Sequence, residues 1–357
     1  MKGLLLAGGH GTRLRPLTFT GNKHMIPIAN QPMLFYGLRH LADVGIREVG
    51  IVLGPIAEGI QEAIGDGQAF GLRVTYIRQG DPKGLAHAVL CSREFLGDDA
   101  FVMYLGDNLL QQGVQPLIRR YHAGEVDAVV GVTPVDHPSD YGVVELEGER
   151  IVSIVEKPAS PRSNLALIGV YLFTPAIHPI IEALTPSRRG ELKITEAIWN
   201  LHRRGGRVAV QRVEGWWKDA GQPESLLEVN EMVLRTRPPD YFTIDGTVEH
   251  GAELVGPVRV GAGSRIAAGA RVTGPTVVGA GVRIEAGSVI GAWNAIGDRC
   301  MIRGAELHRS ILMEGVQLDG PVIVSNSIVG RSAIVRATEQ RGLRISCILG
   351  DSTQVRL

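Results

Sequence analysis

The sequence predicts an α/β domain built on a mostly parallel sheet, followed by a β-helix. Strand-like apolar runs alternate with helical patterns up to about residue 235, which is typical of a parallel sheet covered by helices on both faces. A proline-containing segment then interrupts the alternation. Beyond it, aliphatic residues recur every six positions, and a hexapeptide period indicates a β-helix. We therefore expect a domain over residues 1–235, a linker over 236–247 and a repeat domain over 248–357.

The composition narrows the range of functions. The chain has 357 residues, and its 37 basic residues balance its 37 acidic ones, which argues against a general binder of nucleic acid or of membrane surfaces. No apolar run reaches the ~18 residues that a membrane span needs. Cys91, Cys300 and Cys347 lie far apart in the sequence, so we expect neither a disulfide framework nor a zinc knuckle. Since the sequence has no signal-peptide pattern, the expected location is the reducing cytoplasm.

The elements of the first part each have a local justification. The run GLLLAG is a short apolar strand, and PMLFYGLRHLADVGI has helical spacing that ends near Gly45. The sequence then predicts strands at EVGIVLG and GLRVTYIRQ, a helix at GLAHAVLCSREFLG, and a strand at AFVMYLGDN that ends in an acid. Ligands of such sheets bind at the carboxyl ends of the strands. The turns after GLLLAG and FVMYLGD are therefore the expected site.

The repeats of the second part favour one architecture. Each six-residue unit supplies a strand and a turn, three units make a triangular coil, and one aliphatic residue per unit points into a narrow core. We expect roughly six coils, because an amphipathic helix would need a 3.6-residue period and would not tolerate so many glycines. The period of six runs through Val260, Ile266, Val272, Val278, Ile284, Ile290, Ile296 and Ile302, and it resumes after a two-residue phase shift at Val316, Val322, Ile328 and Ile334.

A glycine-rich loop, LLLAGGHGTRLRPLT, follows the first strand. It is not a Walker A loop, because no GK[ST] follows the glycines, and it lacks the third glycine of a dinucleotide fingerprint. The backbone N–H groups of Gly8, Gly9 and Gly11 can cradle phosphate oxygens. Arg13 can add a charged fork and Lys23 a second cation, although a lone basic residue in a loop is usually just solvated.

Here the sequence resembles a known family. LAGGHGTRLRPLT, followed by NKHMIPIANQPML, resembles the opening of the sugar-phosphate nucleotidylyltransferases, especially the glucose-1-phosphate thymidylyltransferases. The remaining site segments of the family also have counterparts here, in the same order. They are QGDPKGLAHAV, YLGDN, DYGVVE, VEKP, IGVYLF, RGELKITEAI and WWKDAG. The appended repeats are similar to those of the long-chain branch. The resemblance implies a Rossmann-like nucleotidyltransferase domain followed by a left-handed parallel β-helix.

The resemblance also implies an activity. A nucleotidyl group would pass from dTTP or UTP to a sugar 1-phosphate, with release of pyrophosphate, in a homo-oligomer that binds neither nucleic acid nor membrane. Glucose 1-phosphate is the default acceptor, while glucosamine and cyclitol phosphates remain alternatives. The attacking phosphate is already nucleophilic, so no general base is expected. Mg²⁺ would be held by Asp107 and Asp219. The catalytic residues implied are Arg13, Lys23, Asp107, Lys157 and Asp219.

The family's binding residues can be carried over by position. The glutamine amide of Gln79 offers a donor and an acceptor to a pyrimidine edge, and Gly84 would let the backbone approach the ring. Gln79 could equally be a polar strand end, and Trp217 a core aromatic. The nucleotide-binding residues implied are Leu6, Gly8, Gly9, Gly11, Thr12, Arg13, Gln79, Gly84 and Asp107. The sugar-phosphate-binding residues implied are Tyr141, Gly142, Glu156, Lys157, Val170 and Trp217.

Some positions depart from the family pattern. His24 stands where relatives often carry glutamine, Lys193 replaces a common acid, and Glu196 replaces a common aspartate. Lys218 and Ala220 flank the second metal-binding aspartate, where many relatives read Asp-Thr-Gly. These changes surround the sugar and metal sites, so they bear on the choice of sugar and of base.

Three other functions remain as alternatives. Hexapeptide β-helices also carry acyltransferase sites with a histidine, and His250 and His308 are the histidines of this part. A non-catalytic regulatory subunit would keep the fold, although the charged residues of the site are present here. A cytidylyltransferase for a phospho-alcohol would share the front loop, but the segments DYGVVE and VEKP disfavour it.

Overall fold

The computed structural model describes residues 1–57, 59–337 and 342–357. They form two compact units. The first unit contains Met1–His10 and Leu34–Asp219, and the second contains Gly11–Met33 and Ala220–Leu357. The segment Gly11–Met33, called the front segment below, thus belongs to the unit that holds the repeats. The boundaries expected from the sequence, at residues 235 and 247, stay a prediction.

The first unit is built on one large mixed sheet. Two neighbouring strands at its centre, Lys2–Ala7 and Phe101–Leu105, pair in parallel, as the sequence predicts. The order across the sheet is Arg150–Glu156, Gly142–Glu147, Leu165–Phe173, Phe101–Leu105, Lys2–Ala7, Glu48–Leu53 and Arg73–Arg78, with Ala128–Pro134 also paired to Leu165–Phe173 and to Val208–Arg212. A separate two-stranded sheet joins Asn108–Leu110 to Trp217–Asp219.

The parallel prediction holds for only part of this sheet. The strand Leu165–Phe173 runs antiparallel to Phe101–Leu105, and it also pairs antiparallel with Gly142–Glu147. The chain turns back tightly at Gly148, whose φ of 63° suits a hairpin between Gly142–Glu147 and Arg150–Glu156. This edge of the sheet is antiparallel, and an antiparallel pair can be joined by a short turn without a helical crossover.

Helices cover the sheet of the first unit. The predicted helix GLAHAVLCSREFLG is interrupted at Ser92, whose hydroxyl donates to the carbonyl oxygen of Ala88 at 2.8 Å. The α-helices of the first unit are Met33–Asp43, Ile60–Ile64, Leu85–Cys91, Arg93–Leu96, Gln115–His122, Ile177–Glu182 and Ile194–Arg203, and the second unit adds Pro223–Thr236. In the described part of the chain, no helix is both long and apolar enough to cross a membrane.

Two glycines bring the ends of adjacent parallel strands into backbone contact. Gly8 follows the strand Lys2–Ala7, and Gly54 follows Glu48–Leu53. A Cβ atom on Gly54 would lie 2.2 Å from the carbonyl oxygen of Gly8. No side chain fits at that distance, so residue 54 must be glycine for the turn after Lys2–Ala7 to keep its course.

The second unit contains a three-sided parallel β-helix, which confirms the fold predicted from the hexapeptide period. Its strands form three sheets of six or seven short parallel strands. One sheet contains Thr247–Val248, Arg265–Ile266, Arg283–Ile284, Met301–Arg303, Gln317–Asp319, Ile334–Arg336 and Gln354–Arg356. The second contains Glu253–Val255, Arg271–Thr273, Val289–Ile290, Glu306–His308, Val322–Ser325 and Leu343–Ile345. The third contains Val258–Val260, Thr276–Val278, Asn294–Ile296, Ile311–Leu312, Ile328–Val329 and Ile348–Leu349.

The predicted phase of the later repeats is wrong. Up to Ile302 every position with the period of six is buried. The strand pairing then aligns Ile296 with Leu312 and Ile302 with Leu318, so the coils shorten from 18 to 16 residues. The shift is spread over several turns rather than made once. The positions aligned with the earlier repeats are Leu307, Leu312, Leu318, Val324, Val329 and Val335. Val316 and Val322 are also buried in the core, but they lie two positions before aligned residues, and Ile328 and Ile334 lie one position before them.

Buried polar side chains connect the later coils, whose lengths differ from 18 residues. The Asn294 Oδ1 atom accepts a hydrogen bond from the Ser310 backbone N–H at 2.8 Å. The Ser310 hydroxyl accepts from the Ser327 N–H at 3.1 Å, and the Ser327 hydroxyl accepts from the Cys347 N–H at 3.0 Å. Each side chain therefore satisfies a backbone group of the next coil, and together they fix the stacking register.

We expect Ser310→Ala to lower the free energy of unfolding by about 1–3 kcal/mol, because the N–H of Ser327 would be left buried without its acceptor. Ser346→Ala is the matched control, since its hydroxyl makes an exposed hydrogen bond, and it should change stability by less than about 0.5 kcal/mol. Urea denaturation of both variants measures the difference. Equal stabilities would show that the buried hydrogen bonds do not hold the coils.

We expect Gly54→Ala to lower the free energy of unfolding by about 1–3 kcal/mol, because the added methyl group meets the backbone of Gly8. Gly124→Ala is the control, since a Cβ atom there has nothing within 4 Å. Thermal and urea denaturation would compare the two variants. An unchanged Gly54→Ala protein would mean that the turn at Gly8 can shift at little cost.

Candidate active site

The carboxyl ends of the parallel strands bring several predicted site residues together. Gly8, Gln79 and Asp107 follow three strands of this part of the sheet. The Gln79 backbone N–H donates to the carbonyl oxygen of Leu53 at 3.0 Å, and the N–H of Gly106 donates to that of Leu6 at 2.9 Å. These bonds continue the strand pairing past the strand ends. The predicted nucleotide-binding positions of the first unit therefore lie along one edge.

The Gln79 side chain is buried and oriented by three neighbours. Its Nε2 atom lies 3.2 Å from the carbonyl oxygen of Gly84 and 3.2 Å from the Nδ1 atom of His87. Burial, and then the charge of Lys83, lower the pKa of His87, so its neutral ring can accept this hydrogen bond. The Oε1 atom of Gln79 lies 3.0 Å from the position of a Cβ atom on Gly8. Gln79 is thus held with its amide beside the glycine loop.

Gly84 has a structural requirement of its own. Its φ is 95°, and a Cβ atom would lie 2.4 Å from the carbonyl oxygen of Leu192. The Ala86 N–H donates to that same carbonyl oxygen, and the Leu192 N–H donates to that of Lys83. A side chain at residue 84 would therefore disrupt the packing of two chain segments, whether or not a ligand approaches it.

Two aspartates lie close together through strand pairing. Asn108–Leu110 and Trp217–Asp219 pair antiparallel with Asp219 opposite Asn108, so Asp219 lies one position from Asp107 along the opposite strand. The Asn108 side chain donates to the Asp107 Oδ1 atom at 3.1 Å and accepts from the Trp217 Nε1 atom at 2.7 Å. The sequence prediction named both aspartates and Trp217 but missed Asn108. The segment YLGDN contained Asn108, but only the fold shows that its amide connects Asp107 to Trp217.

A buried chain of hydrogen bonds through Tyr104 and His40 holds the backbone of Asn108. The Tyr104 hydroxyl donates to the carbonyl oxygen of Asn108 at 3.0 Å and lies 3.2 Å from the Nδ1 atom of His40. Burial lowers the pKa of His40 to about 4, so the ring is neutral and its Nδ1–H can donate to the tyrosine oxygen. Burial also raises the pKa of Tyr104, with the charge of Asp107 adding to it. The neutral pair therefore supports the acidic strand end without adding charge.

The aspartate pair suits a magnesium ion. Within the described residues, no group of three or more His, Cys, Asp and Glu side chains could enclose a metal by itself. Mg²⁺ is commonly held by one or two carboxylates and completes its shell with water and phosphate oxygens. Asp107 and Asp219 fit this incomplete donor set, while a structural zinc site would need four protein ligands.

The predicted sugar-binding residues gather on the antiparallel side of the sheet. The Tyr141 ring meets that of Trp217 edge to face, with centroids 5.3 Å apart. Glu156 pairs with Gly142 across the hairpin, and its Oε2 atom lies 3.3 Å from the position of a Cβ atom on Gly142. Lys157 has a φ of 47°, and its N–H donates to the carbonyl oxygen of Tyr141 at 2.9 Å. A non-glycine residue in this conformation marks a locally strained position.

One polar residue beside this group was missed by the sequence prediction. Thr195 is 3% exposed, and its hydroxyl has no hydrogen-bond partner in the described structure. Its methyl group lies 2.7 Å from the position of a Cβ atom on Gly142, close to Glu156. A buried hydroxyl without a partner is costly, and a ligand oxygen would satisfy it. The segment RGELKITEAI contained Thr195, but its burial could not be read from the sequence.

A basic cavity adjoins Glu156. It has a volume of about 510 Å³, and it combines Lys157 from the hairpin with Arg188, Arg189 and Lys193 from a later loop. None of these four cations forms an ion pair among the residues that the structure describes, although two carboxylates also line the cavity. Arg188 and Arg189 were not predicted. The cavity is chemically suited to an anion such as a phosphate.

Two predicted residues cannot contact a ligand through their side chains. Val170 is fully buried, and Leu6 is 7% exposed. Val170 follows Gly169, whose φ is 71° and whose Cβ position lies 2.8 Å from the Asn108 Oδ1 atom. Only the backbone groups of these residues are available to a ligand.

The remaining predicted residues, apart from Gly9, belong to the second unit. Gly11 has a φ of 62°, and a Cβ atom there would lie 3.0 Å from the Lys23 Cβ atom. Thr12 and Arg13 follow in a short 3-10 helix, Thr12–Leu14, and Arg13 is exposed. The structure thus brings Gly11 and Lys23 together. Gly9, at the end of the first unit, is exposed.

The departures from the family pattern have different surroundings. His24 is 2% exposed, and the Asn22 side chain accepts from its backbone N–H at 2.9 Å and lies 2.7 Å from its Nδ1 atom. His24 is therefore part of the internal packing of the front segment. Ala220 is fully buried, whereas Glu196 is exposed on its helix. In the β-helix, His308 is half-buried and lies 3.5 Å from Glu306.

Comparison with known proteins agrees with this geometry. The model of the nucleotidyl transferase family matches residues 2–236, and that of the GMPPB C-terminal domain matches residues 272–356. The chain is 44% identical to a glucose-1-phosphate thymidylyltransferase of Streptomyces antibioticus, over 100% of this chain and 99% of the relative. It is 41% identical to the low-salt glycan biosynthesis nucleotidyltransferase Agl11 of Haloferax volcanii, over the full length of both.

A solved structure is also similar. A UDP-glucose pyrophosphorylase complexed with UDP-glucose superposes with a TM-score of 0.60 at 27% identity, over 66% of this chain and 99% of that one. The strand-end glycines, the paired aspartates and these matches all point to one family. The chain belongs to the nucleotidyl transferase family.

Proposed function

We propose that the protein transfers a nucleotidyl group from dTTP or UTP to a sugar 1-phosphate, with glucose 1-phosphate as the default acceptor. The observation that carries this proposal is the pairing of Trp217–Asp219 with Asn108–Leu110, which brings two aspartates together at the end of a central strand. The full-length similarity to a thymidylyltransferase supports the same reaction. The expected product is a dTDP-sugar or UDP-sugar with pyrophosphate.

The reaction needs placement and charge rather than a protein base. An oxygen of the sugar 1-phosphate forms a bond to the α-phosphorus, and the bond from that phosphorus to the bridging oxygen of the leaving pyrophosphate breaks. The pyrophosphate carries away the electron pair of the broken bond. Arg13 and Lys23 contact the phosphates of the nucleotide, and Gly8, Gly9 and Gly11 offer backbone N–H groups to them.

The aspartates hold the metal in this proposal. Asp107 and Asp219 would hold Mg²⁺, which would offset the negative charge of the phosphate groups. Asn108 donates to Asp107 and accepts from Trp217, so it fixes one metal-binding carboxylate relative to the aromatic wall. Removing the Asn108 amide would therefore release the Asp107 carboxylate from this fixed position, even though both aspartates remained.

The acceptor is held on the antiparallel side of the sheet. Lys157 and the basic cavity beside it receive the sugar phosphate. Glu156 and the backbone of Gly142 and Val170 receive the sugar hydroxyls, and the unpartnered hydroxyl of Thr195 is a further donor. Gln79 presents its amide to the pyrimidine. A homo-oligomer remains part of the proposal, with the β-helix as its assembly element.

We expect pyrophosphate release with Mg²⁺ only in particular combinations of substrates. A grid of dTTP, UTP, CTP, ATP and GTP against glucose 1-phosphate, glucosamine 1-phosphate and a cyclitol phosphate would measure it. Activity should appear in the dTTP or UTP rows, and one methyl group discriminates between those two by about 1–3 kcal/mol at most. Activity confined to the purine rows, or no activity in the grid, would contradict the proposal.

We expect Asp107→Asn to reduce kcat by about 100-fold or more, because one of the two carboxylates for Mg²⁺ is lost. Asp98→Asn is the control in the same unit, since Asp98 is exposed and makes only a surface ion pair with Arg93. Circular dichroism would check that both variants are folded. Near-normal turnover of Asp107→Asn would remove this residue from the metal site.

A further inference from the structure

The front segment, Gly11–Met33, has little regular structure to hold it in place. Within it, the structure has only two 3-10 turns, Thr12–Leu14 and Lys23–Met25, and a hairpin of two-residue strands, Pro27–Ile28 and Gln31–Pro32. Segments of this kind rely on contacts with their surroundings to keep one conformation. Within the second unit, those contacts come from the β-helix and from the helix before it.

The first contact is at the last coils of the β-helix. The Thr20 hydroxyl donates to the Asp351 Oδ2 atom at 2.7 Å. The other carboxylate oxygen of Asp351 accepts from the Arg331 backbone N–H at 2.7 Å, so the acceptor is itself held by a neighbouring coil. Beside it, a Cβ atom on Gly350 would lie 3.2 Å from Pro16. The front segment therefore packs closely on this end of the β-helix.

The second contact is at the hairpin tip. The Ala29 N–H donates to the Asn230 Oδ1 atom at 2.9 Å, and the Asn230 Nδ2 atom donates to the carbonyl oxygen of Trp293 at 3.1 Å. Asn30 donates directly to the carbonyl oxygen of Ile296 at 2.6 Å. Asn230 is 1% exposed, so this junction is a buried, paired polar contact rather than a surface one.

The conformation of the tip shows that these contacts hold it. Ala29 has a φ of 47° and Asn30 a φ of 61°. The left-handed region suits asparagine, but it costs alanine roughly 1–2 kcal/mol. Such a conformation persists only where the surroundings determine it. The bonds to Asn230 and Ile296 supply that determination from the β-helix side.

The two contacts bracket Lys23, one of the residues assigned to the phosphates, and Arg13 precedes the first contact by only a few residues. Lys23 lies between Thr20 and Ala29 in the chain, and its Cβ atom packs on Gly11. The Thr18 hydroxyl donates to the carbonyl oxygen of Gly11 at 2.8 Å, which ties the start of the segment to its middle. Displacing either contact would therefore displace the segment that carries Arg13 and Lys23.

We propose that the β-helix is a positioning element for nucleotide binding, which holds the front segment through Thr20 and Asp351 and through Asn30 and Ile296. This inference rests on the proposed function, because Arg13 and Lys23 act on the nucleotide there. Thr20 and Asn30 are positioning residues and do not touch the substrate. The β-helix then contributes to the affinity for the nucleoside triphosphate as well as to assembly.

The test is the double variant Thr20→Val and Asn30→Gly in the full-length chain. Valine keeps the shape of threonine, and glycine keeps the φ of residue 30, so each change removes a hydrogen bond and little else. Two bonds of this kind correspond to a rise in the KM for the nucleotide of about tenfold. The KM for the sugar 1-phosphate should change by less than about twofold, since the acceptor residues lie in the other unit. Amide hydrogen exchange in residues 11–33 should become faster.

The matched control is the double variant Thr243→Val and Asn326→Gly. Thr243 donates to Asp245 at 2.9 Å, and Asn326 has a φ of 47° and accepts from Arg309 at 3.1 Å. Both residues are exposed parts of the same unit, and the hydrogen bonds of their side chains go to residues outside the front segment. This variant loses the same chemical groups, so it should keep the wild-type KM for both substrates and the wild-type exchange rates in residues 11–33.

Each outcome decides between the possibilities. A selective rise in the nucleotide KM with faster exchange in the front segment supports the inference. Equal KM values in test and control variants overturn it while the wild type remains active, and so does faster exchange without a change in KM. An inactive wild type across the substrate grid instead overturns the proposed function, and the catalytic role of the contacts with it.

Discussion

The parallel register around the first strand is the constraint on which the candidate site depends. Leu6 pairs with Val52 on one side and with Leu105 on the other, so the three strands end at the same level. The chain must then turn in a confined space, and it does so with Gly8 and Gly54 in backbone contact. Because the strand ends coincide, a glycine loop, a glutamine amide and a carboxylate lie along one edge, although they are far apart in the sequence.

The register of neighbouring strands also determines the structure of the β-helix, where it repeats from coil to coil. Each early strand places an aliphatic side chain in the interior at a position aligned with the next coil, which makes the period of six visible as long as the coils keep 18 residues. Where coils shorten, the period is lost, but side-chain hydrogen bonds like the one from the Val282 N–H to Ser264 in the 18-residue coils continue to align them. Asn294, Ser310 and Ser327 are all buried, and each satisfies a backbone N–H of the following coil. Side-chain hydrogen bonds therefore support the register in the regular coils and remain where the spacing changes.

Much of the fold and part of the site could be predicted from the sequence, because periodicity and strand-end glycines report local constraints. The β-helix and the first parallel strands were predicted correctly, whereas the metal-binding roles of Asp107 and Asp219 stay predictions. The phase of the later repeats was not predicted correctly, since one-residue changes in turn length leave no distinct pattern. Thr195 and Asn108 were missed for another reason: their roles depend on burial and on partners far along the chain. Roles assigned by resemblance alone, such as those of Arg13 and Lys23, stay predictions.

The charge of the basic cavity argues that function rather than stability selected it. Lys157, Arg188, Arg189 and Lys193 line one cavity without forming ion pairs among the described residues, so their mutual repulsion is only partly offset by Glu156 and Glu191. Like charges close together repel each other, although the exposure of Lys157, Arg188 and Arg189 lets solvent screen part of that repulsion. Lys157 adds a strained backbone conformation to the same cavity. An anionic ligand would relieve this repulsion by supplying the missing counter-charge, which favours the interpretation of the cavity as a binding site for an anion.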